Sequence, residues 1–323
     1  MKTPPHSTAS LLTLLALLLL ALVAQALVPV SVIAQGADMV RMEVIPVQGN
    51  VYMLQTPAAG GNIGVLPGPD GILLVDDQVE RLIESVVQGV REISDEEIRF
   101  VINTHLHFDH RGGNEVLADM GATLIAHDNV RLRMLGPFRI PRRGGSILPA
   151  PSERARPILT FNDAVTFHMN GEEVRVFLAP PAHTDGDSFV YFVDSDVLHL
   201  GDVFRTTGEY PLIDVYNGGS VLGMIEAMEI AIGLAGPNTK VIPGHGFGLG
   251  DRDGLIEVQT MLVDLWDKIR EMIIEGMQFD EVQAANPTAE YDEKWGQGGW
   301  NASELLPIIY NEAGGGQLPA PPN

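Results

Sequence analysis

Ile98-Arg99-Phe100-Val101-Ile102-Asn103-Thr104-His105-Leu106-His107-Phe108-Asp109-His110-Arg111-Gly112-Gly113-Asn114 is the stretch on which the reading of this chain turns. Its first five residues are rich in β-branched and aromatic side chains and predict a short strand. The strand runs directly into four potential metal ligands, His105, His107, Asp109 and His110, within six residues. Side chains on a strand alternate between faces, so four such groups cannot all point one way from extended backbone. A loop can fan them around two neighbouring metal ions, and the glycine pair that follows lets the chain turn tightly before the next helix. A histidine cluster lying idle on the surface is disfavoured, because an apolar strand delivers it to a sheet edge and the chain has only 9 histidines.

Three further positions repeat this arrangement of a strand end, a glycine and a ligand. His183 lies in Pro180-Pro181-Ala182-His183-Thr184-Asp185-Gly186-Asp187-Ser188. Asp202 follows the run 197–200 in Leu200-Gly201-Asp202, and His245 follows 240–242 in Pro243-Gly244-His245-Gly246. Each alone is a weak signal; together they make five histidines and two aspartates at loop ends. The chain has no cysteine, which excludes disulfides, thiolate ligands and a cysteine nucleophile. Any metal must be held by imidazole and carboxylate, a set that suits Zn2+ and leaves Fe or Mn open.

The element order around these ligands is that of a layered α/β protein. Residues 62–66 and 71–75 read as a hairpin around Pro67-Gly68-Pro69-Asp70-Gly71, after a loosely alternating segment at 40–55 and the turn Ala58-Ala59-Gly60-Gly61. Val79, Leu82, Ile83, Val86, Val87, Val90 and Ile93 then recur at helical spacing. In the second half, Asn170-Gly171 between 167–169 and 174–178 is a strong two-residue hairpin signal. Another hairpin is expected around Asp194-Ser195, then a helix at about 219–234, the strand 240–242, and a long helix at about 252–276 with one apolar face. The halves share this grammar without a visible sequence repeat. Residues 136–157, rich in Pro, Gly and Arg, lack periodicity; they and the turn at 57–61 are candidate lids.

The chain has 323 residues, 45% of them hydrophobic, enough for one large domain, placed at 38–312. Its formal net charge of -22 is spread along the sequence as a solubilising surface, and it argues against nucleic-acid partners, which need a basic footprint. Lys2 precedes an uncharged run from Leu11 to Ala34 that is almost pure Leu and Ala up to Ala24. Residues 1–34 therefore read as a signal peptide, with Ala24-Gln25-Ala26 or Val32-Ile33-Ala34 fitting the cleavage rule, or as an uncleaved N-terminal anchor. Either way the catalytic part is expected outside the cytoplasm, periplasmic or secreted. Residues 313–323 read as a disordered tail.

The segment at 105–110 resembles the His-x-His-x-Asp-His signature of the metallo-β-lactamase superfamily, and the later His183, Asp202 and His245 resemble that family's remaining ligand motifs in order. The resemblance covers roughly 40–250. It implies an αββα sandwich, two mixed sheets flanked by helices, with two metals at one edge. It implies His105, His107 and His183 on the first metal and Asp109, His110 and His245 on the second. Asp202 matches the carboxylate that bridges both metals in hydrolases similar to glyoxalase II and lactonases. The best-known clinical β-lactamases have a cysteine at that place, and this departure sets the chain apart from them.

The chemistry implied is hydrolysis of a small molecule at an amide, ester or thioester carbon, by hydroxide generated between the metals and oriented by Asp109. Arg205, three residues after Asp202, matches the offset of a lysine that binds the substrate carboxylate in cysteine-type β-lactamases. Asp76, ending the run 72–75, is a candidate to orient the histidine loop, with Asp77 as its competitor. His127 and His199 are expected to be structural and His168 to point outward; His6 belongs to the leader. A non-catalytic metal-binding or redox-relay protein is the remaining reading, and the full ligand set argues against it.

Overall fold

In a computed structural model, residues 40–57, 60–140 and 145–314 are described. The leader 1–34 and nearly all of the expected tail 313–323 lie outside them. Strands β1 (Glu43–Gln48), β2 (Val51–Gln55), β3 (Ile63–Leu66) and β4 (Ile72–Val75) form an antiparallel meander, and β5 (Ile98–Ile102), β6 (Thr123–His127) and β9 (Leu159–Phe161) extend it in parallel. The second sheet has the order β10 (Ala164–Met169), β11 (Glu172–Leu178), β12 (Ser188–Phe192), β13 (Val197–His199), β15 (Lys240–Ile242), and only its last pair is parallel.

The strand pattern dictates how these sheets stack. Along β4, Leu73 and Val75 face the second sheet, meeting Val174, Val190 and Phe192 in one core, while Ile72 and Leu74 face the helices. A strand buried on both faces must be apolar at every position, and all four residues of β4 are buried. Outside the first sheet lie α1 (Ile83–Arg91) and α3 (Asn114–Asp119), with Val86, Val90 and Leu117 turned inward. Outside the second lie α5 (Val221–Leu234), α6 (Arg252–Ile274) and α9 (Ala302–Glu312); α6 contributes Leu255, Leu262, Leu265 and Ile269. This is the expected αββα sandwich.

The Asn170-Gly171 hairpin forms with both residues at positive φ, 56° and 75°, as a primed turn requires. Its strands run further than the apolar run suggested, because the pairing of Met169 with Glu172 continues to the turn itself. The segment 136–157 is not wholly irregular: β7 (Phe138–Arg139) and β8 (Ile147–Leu148) pair as a short hairpin, whose tip at 141–144 is outside the described residues. Among the described residues no helix is long and apolar enough to cross a membrane.

Candidate metal centre

The histidine segment splits its side chains by a simple device. After β5 the chain bends at 104–106, so that Leu106 packs into an apolar cluster with Ala126, Val130 and Phe138 while His105 and His107 meet His183. Residues 108–111 then coil into the single-turn helix α2 (Phe108–Arg111), which swings Asp109 and His110 to a second position beside the first pair. The turn is fixed from the end of β4: Asp77 N–H donates to His110 O at 3.0 Å, and Gly112 N–H to Gln78 O at 2.7 Å.

All seven expected ligands converge. His105, His107 and His183 offer ring nitrogens within 4.8 Å of one another; a carboxylate oxygen of Asp109 and ring nitrogens of His110 and His245 lie as close, and Asp202 joins His105 and His110 in a third group. Asp202 stands between the sets: Oδ1 is 3.2 Å from His110 Nε2 and Oδ2 3.7 Å from His183 Nε2. His245 Nε2 is 3.2 Å from Asp109 Oδ2 and 3.5 Å from Asp202 Oδ1. Gly244 is needed here, since a Cβ at that position would overlap Asp202 Oδ1 and the Gly201 backbone.

The hydrogen bonds behind the rings decide which nitrogens face inward, and here they assign the tautomers. His183 Nδ1 donates to Leu212 O at 2.6 Å, His107 Nε2 to Asp214 Oδ2 at 2.7 Å, and His110 Nδ1 to Asp76 Oδ2 at 2.7 Å. Thr104 Oγ1 donates to Asp76 Oδ2 at 2.8 Å and so accepts from His105 Nδ1 at 3.0 Å. The opposite nitrogens are then lone pairs. His107 Nδ1 faces His183 Nε2 at 2.9 Å, and His110 Nε2 faces His245 Nε2 at 3.1 Å. His105 Nε2 and Asp202 Oδ1 are buried without a hydrogen-bond partner. The facing lone pairs of His107 and His183 repel at such a distance unless a cation lies between them. The donor set therefore fits metal ions held by imidazole and carboxylate.

The electrostatics favour neutral rings at His105 and His183, whereas at His110 burial is overcome by the charges of Asp202 and Asp76, which raise its pKa. Burial, reinforced by neighbouring His107, drives the His183 pKa down to about 3, and burial with the charge of His110 lowers that of His105. Both rings stay neutral, as ligands must. Burial opposes ionisation of Asp109 and Asp202, but it is outweighed, by the His245 hydrogen bond to Asp109 and by the charges of His245 and His110 beside Asp202. Both stay carboxylates.

Asp76 does what the sequence suggested. Fully buried, it accepts from Thr104 N–H at 2.7 Å as well as from Thr104 Oγ1 and His110. Asp77 instead receives Gly113 N–H and holds the backbone turn. Asp214 was missed. It orients His107 and is itself fixed by Asn217 Nδ2 and by the N–H groups of Tyr216 and Asn217, and the only hint was its place in Asp214-Val215-Tyr216-Asn217-Gly218, a capping pattern. His127 caps α4 (Asp128–Arg133), His168 is exposed, and His199 is buried on β13.

Arg205 reaches the centre as its offset predicts. It lies on the two-residue strand β14 (Arg205–Thr206), which pairs with β16 (His245–Gly246) and sets Arg205 opposite His245. Its Nε is 3.9 Å from Asp202 Oδ2, but its Nη2 is engaged by Glu209 at 3.1 Å, a partner the sequence reading did not identify. An acidic residue four positions on was the available signal. Of the two candidate lids, the turn at 57–61 is tied to the site by Gly61 N–H donating to Asp109 O at 3.1 Å. The β7–β8 hairpin borders Asp214 through Asn217 Nδ2 donating to Arg139 O.

The sequence profile of the metallo-beta-lactamase superfamily matches residues 45–245, which takes in every one of these ligands. The chain belongs to that superfamily. Among solved structures, a metallo-beta-lactamase from Pontibacter korlensis is 16% identical, with a TM-score of 0.58 over 69% of this chain and 100% of that one. The DIM-1 metallo-beta-lactamase is 20% identical, with a TM-score of 0.54 over 69% and 97%. The stereoselective inverting sec-alkylsulfatase Pisa1 from Pseudomonas sp. is 16% identical, with a TM-score of 0.63 over 85% of this chain and only 50% of that one. At these identities the likeness is one of fold. The superfamily is generally hydrolytic and metal-dependent, and the histidine and aspartate clusters of this chain could hold a metal.

Proposed function

We propose that this chain is an exported dinuclear metallohydrolase, zinc-loaded unless Fe or Mn replaces it, that cleaves a β-lactam-like cyclic amide or a related ester in a small molecule. The observation that carries this reading is the pair of ligand sets sharing Asp202, with the lone pairs of His105, His107 and His183 turned inward. Bound there, a pair of divalent ions would supply Lewis acidity and bring the pKa of water down to about 7. The chain's own residues do the rest. His105, His107 and His183 hold one position and Asp109, His110 and His245 the other. Asp202 keeps the two together. Asp109, an ionised carboxylate at the rim, orients the attacking water and accepts its proton. Arg205 faces the polar end of the substrate.

A second reading, a lactone or thioester hydrolase of glyoxalase II type, is favoured by a specific pair of observations: an aspartate rather than a cysteine at 202, and an Arg205 already engaged by Glu209. The uncharged Leu-rich leader supports export, whether cleaved or kept as an anchor, and no nucleic-acid partner is proposed. The test is elemental analysis of the purified protein with turnover of nitrocefin, homoserine lactones and thioesters. About two metals per chain and turnover of at least one class are expected. Less than about half an equivalent of any transition metal after repletion would refute the reading.

A further inference from the structure

Arg205 is an unusual cation. Its side chain is only 7% exposed, and both Nε and Nη1 are buried without a hydrogen-bond partner among the described residues. Its remaining nitrogen is held by Glu209, itself 10% exposed. Glu209 in turn is clamped by a segment of chain far from the ligands. Trp300 N–H donates to Glu209 Oε1 at 3.3 Å, and Trp300 Nε1 donates to Pro211 O at 3.1 Å. Glu209 makes an antiparallel bridge with Gly296, and Gln297 N–H donates to Gly208 O at 3.2 Å. At Gly298 a Cβ would overlap the Glu209 side chain, so the backbone presses directly on it. Residues 296–300 lie beyond the 45–245 superfamily match.

We propose that Glu209, held by the 296–300 turn, is a specificity-determining residue that makes the centre select uncharged acyl substrates over carboxylate-bearing ones. This rests on the hydrolase reading above. The reasoning is one of charge balance. A substrate carboxylate approaching Arg205 meets a guanidinium already neutralised on one side and flanked by the carboxylates of Glu209 and Asp202. To gain a bidentate pair it must take Nη2, the nitrogen shared by both faces of the fork, and so displace Glu209, which the clamp resists. A neutral carbonyl or ester oxygen needs only one N–H, and Nε and Nη1 are open donors for it. A carboxylate adds a full opposite charge and a bidentate fit that a neutral carbonyl lacks, so an uncaged arginine would favour the anion; the cage reverses that order.

The test uses the purified full chain, zinc-loaded, and two probes that differ by one carboxylate: acetohydroxamic acid, which has none, and succinic monohydroxamic acid, which carries one. Calorimetry on the wild type should give the tighter binding to the probe without a carboxylate. Glu209→Gln keeps the shape and the Trp300 contact but removes the charge. It should tighten the succinate probe at least tenfold and change the acetate probe less than threefold, and adding Arg205→Met should abolish the gain. A succinate-to-acetate affinity ratio within threefold of wild type, or a gain that survives loss of Arg205, overturns the proposal. A second readout needs no metal: phenylglyoxal modification of Arg205, followed by peptide mass spectrometry. It should be at least fivefold faster in Glu209→Gln, and an unchanged rate also overturns the proposal. Failure of the wild type to bind either hydroxamate would count against the metal-centre reading instead, and the labelling rates would still decide whether Glu209 cages Arg205.

Discussion

Replacing Asp76 by Asn exchanges one carboxylate oxygen for an amide nitrogen, yet the structure predicts that it weakens one metal position selectively. Asp76 accepts three hydrogen bonds, from Thr104 N–H, Thr104 Oγ1 and His110 Nδ1, and is fully buried. An amide has one acceptor oxygen. If that oxygen stays with Thr104 N–H, the new NH2 faces His110 Nδ1, and the ring must move its proton to Nε2. The proton then occupies the lone pair that His110 directs at His245 and Asp202. At least one charge-assisted bond, worth about 1.5–3 kcal/mol, is lost as well. Partners that orient metal-bound histidines are worth about 10–100-fold in affinity. Zinc titration against a chromophoric chelator should therefore show two steps in the wild type. In Asp76→Asn one step should be weakened about 10–100-fold, and it should be the step lost in a His245→Ala control. Two unchanged steps in a folded variant would refute the reasoning, as would a loss confined to the step that depends on His183.

Asp214→Asn should act on the other set through His107, lowering affinity about 10–100-fold for the step that depends on His183 and sparing the one that depends on His245; the same titration reads it. Asp202→Asn should keep the fold by circular dichroism but lower turnover of the best substrate by at least ~100-fold, because one amide cannot serve both sets; near-wild-type turnover would remove Asp202 from the shared position. His199 predicts an acid limb in stability. Burial drives its pKa to about 4 in the folded protein, against 6.5 unfolded. The unfolded chain therefore binds the extra proton as pH falls from about 6.5 to 4, and folding stability drops across that window by up to about 3 kcal/mol. Urea unfolding at several pH values should show this slope, and His199→Asn should flatten it; an equally steep slope in the variant would show that His199 is not its source.

The sandwich and the candidate ligands were legible in the sequence because each depends on local pattern. Strands buried on two faces must be apolar throughout, as 72–75 is, and groups that bind metal must leave a strand end on short, glycine-relieved loops, as 103–113, 201–202 and 243–246 do. Short elements without a periodic run were harder to read: β6 and β9 take five and three residues, and only their place beside β5 makes them strands. The partners of the ligands were decided by tertiary structure alone. Asp214 meets His107 across 107 positions of sequence, and Asp76 meets His110 across 34. Glu209 owes its fixed position to Trp300, 91 residues away. The types of residue that bind a metal are few and announce themselves, whereas a carboxylate that orients a ring or holds an arginine is chemically ordinary. Only the packing of distant segments against one another, which desolvates that carboxylate and points it at one partner, gives it a role.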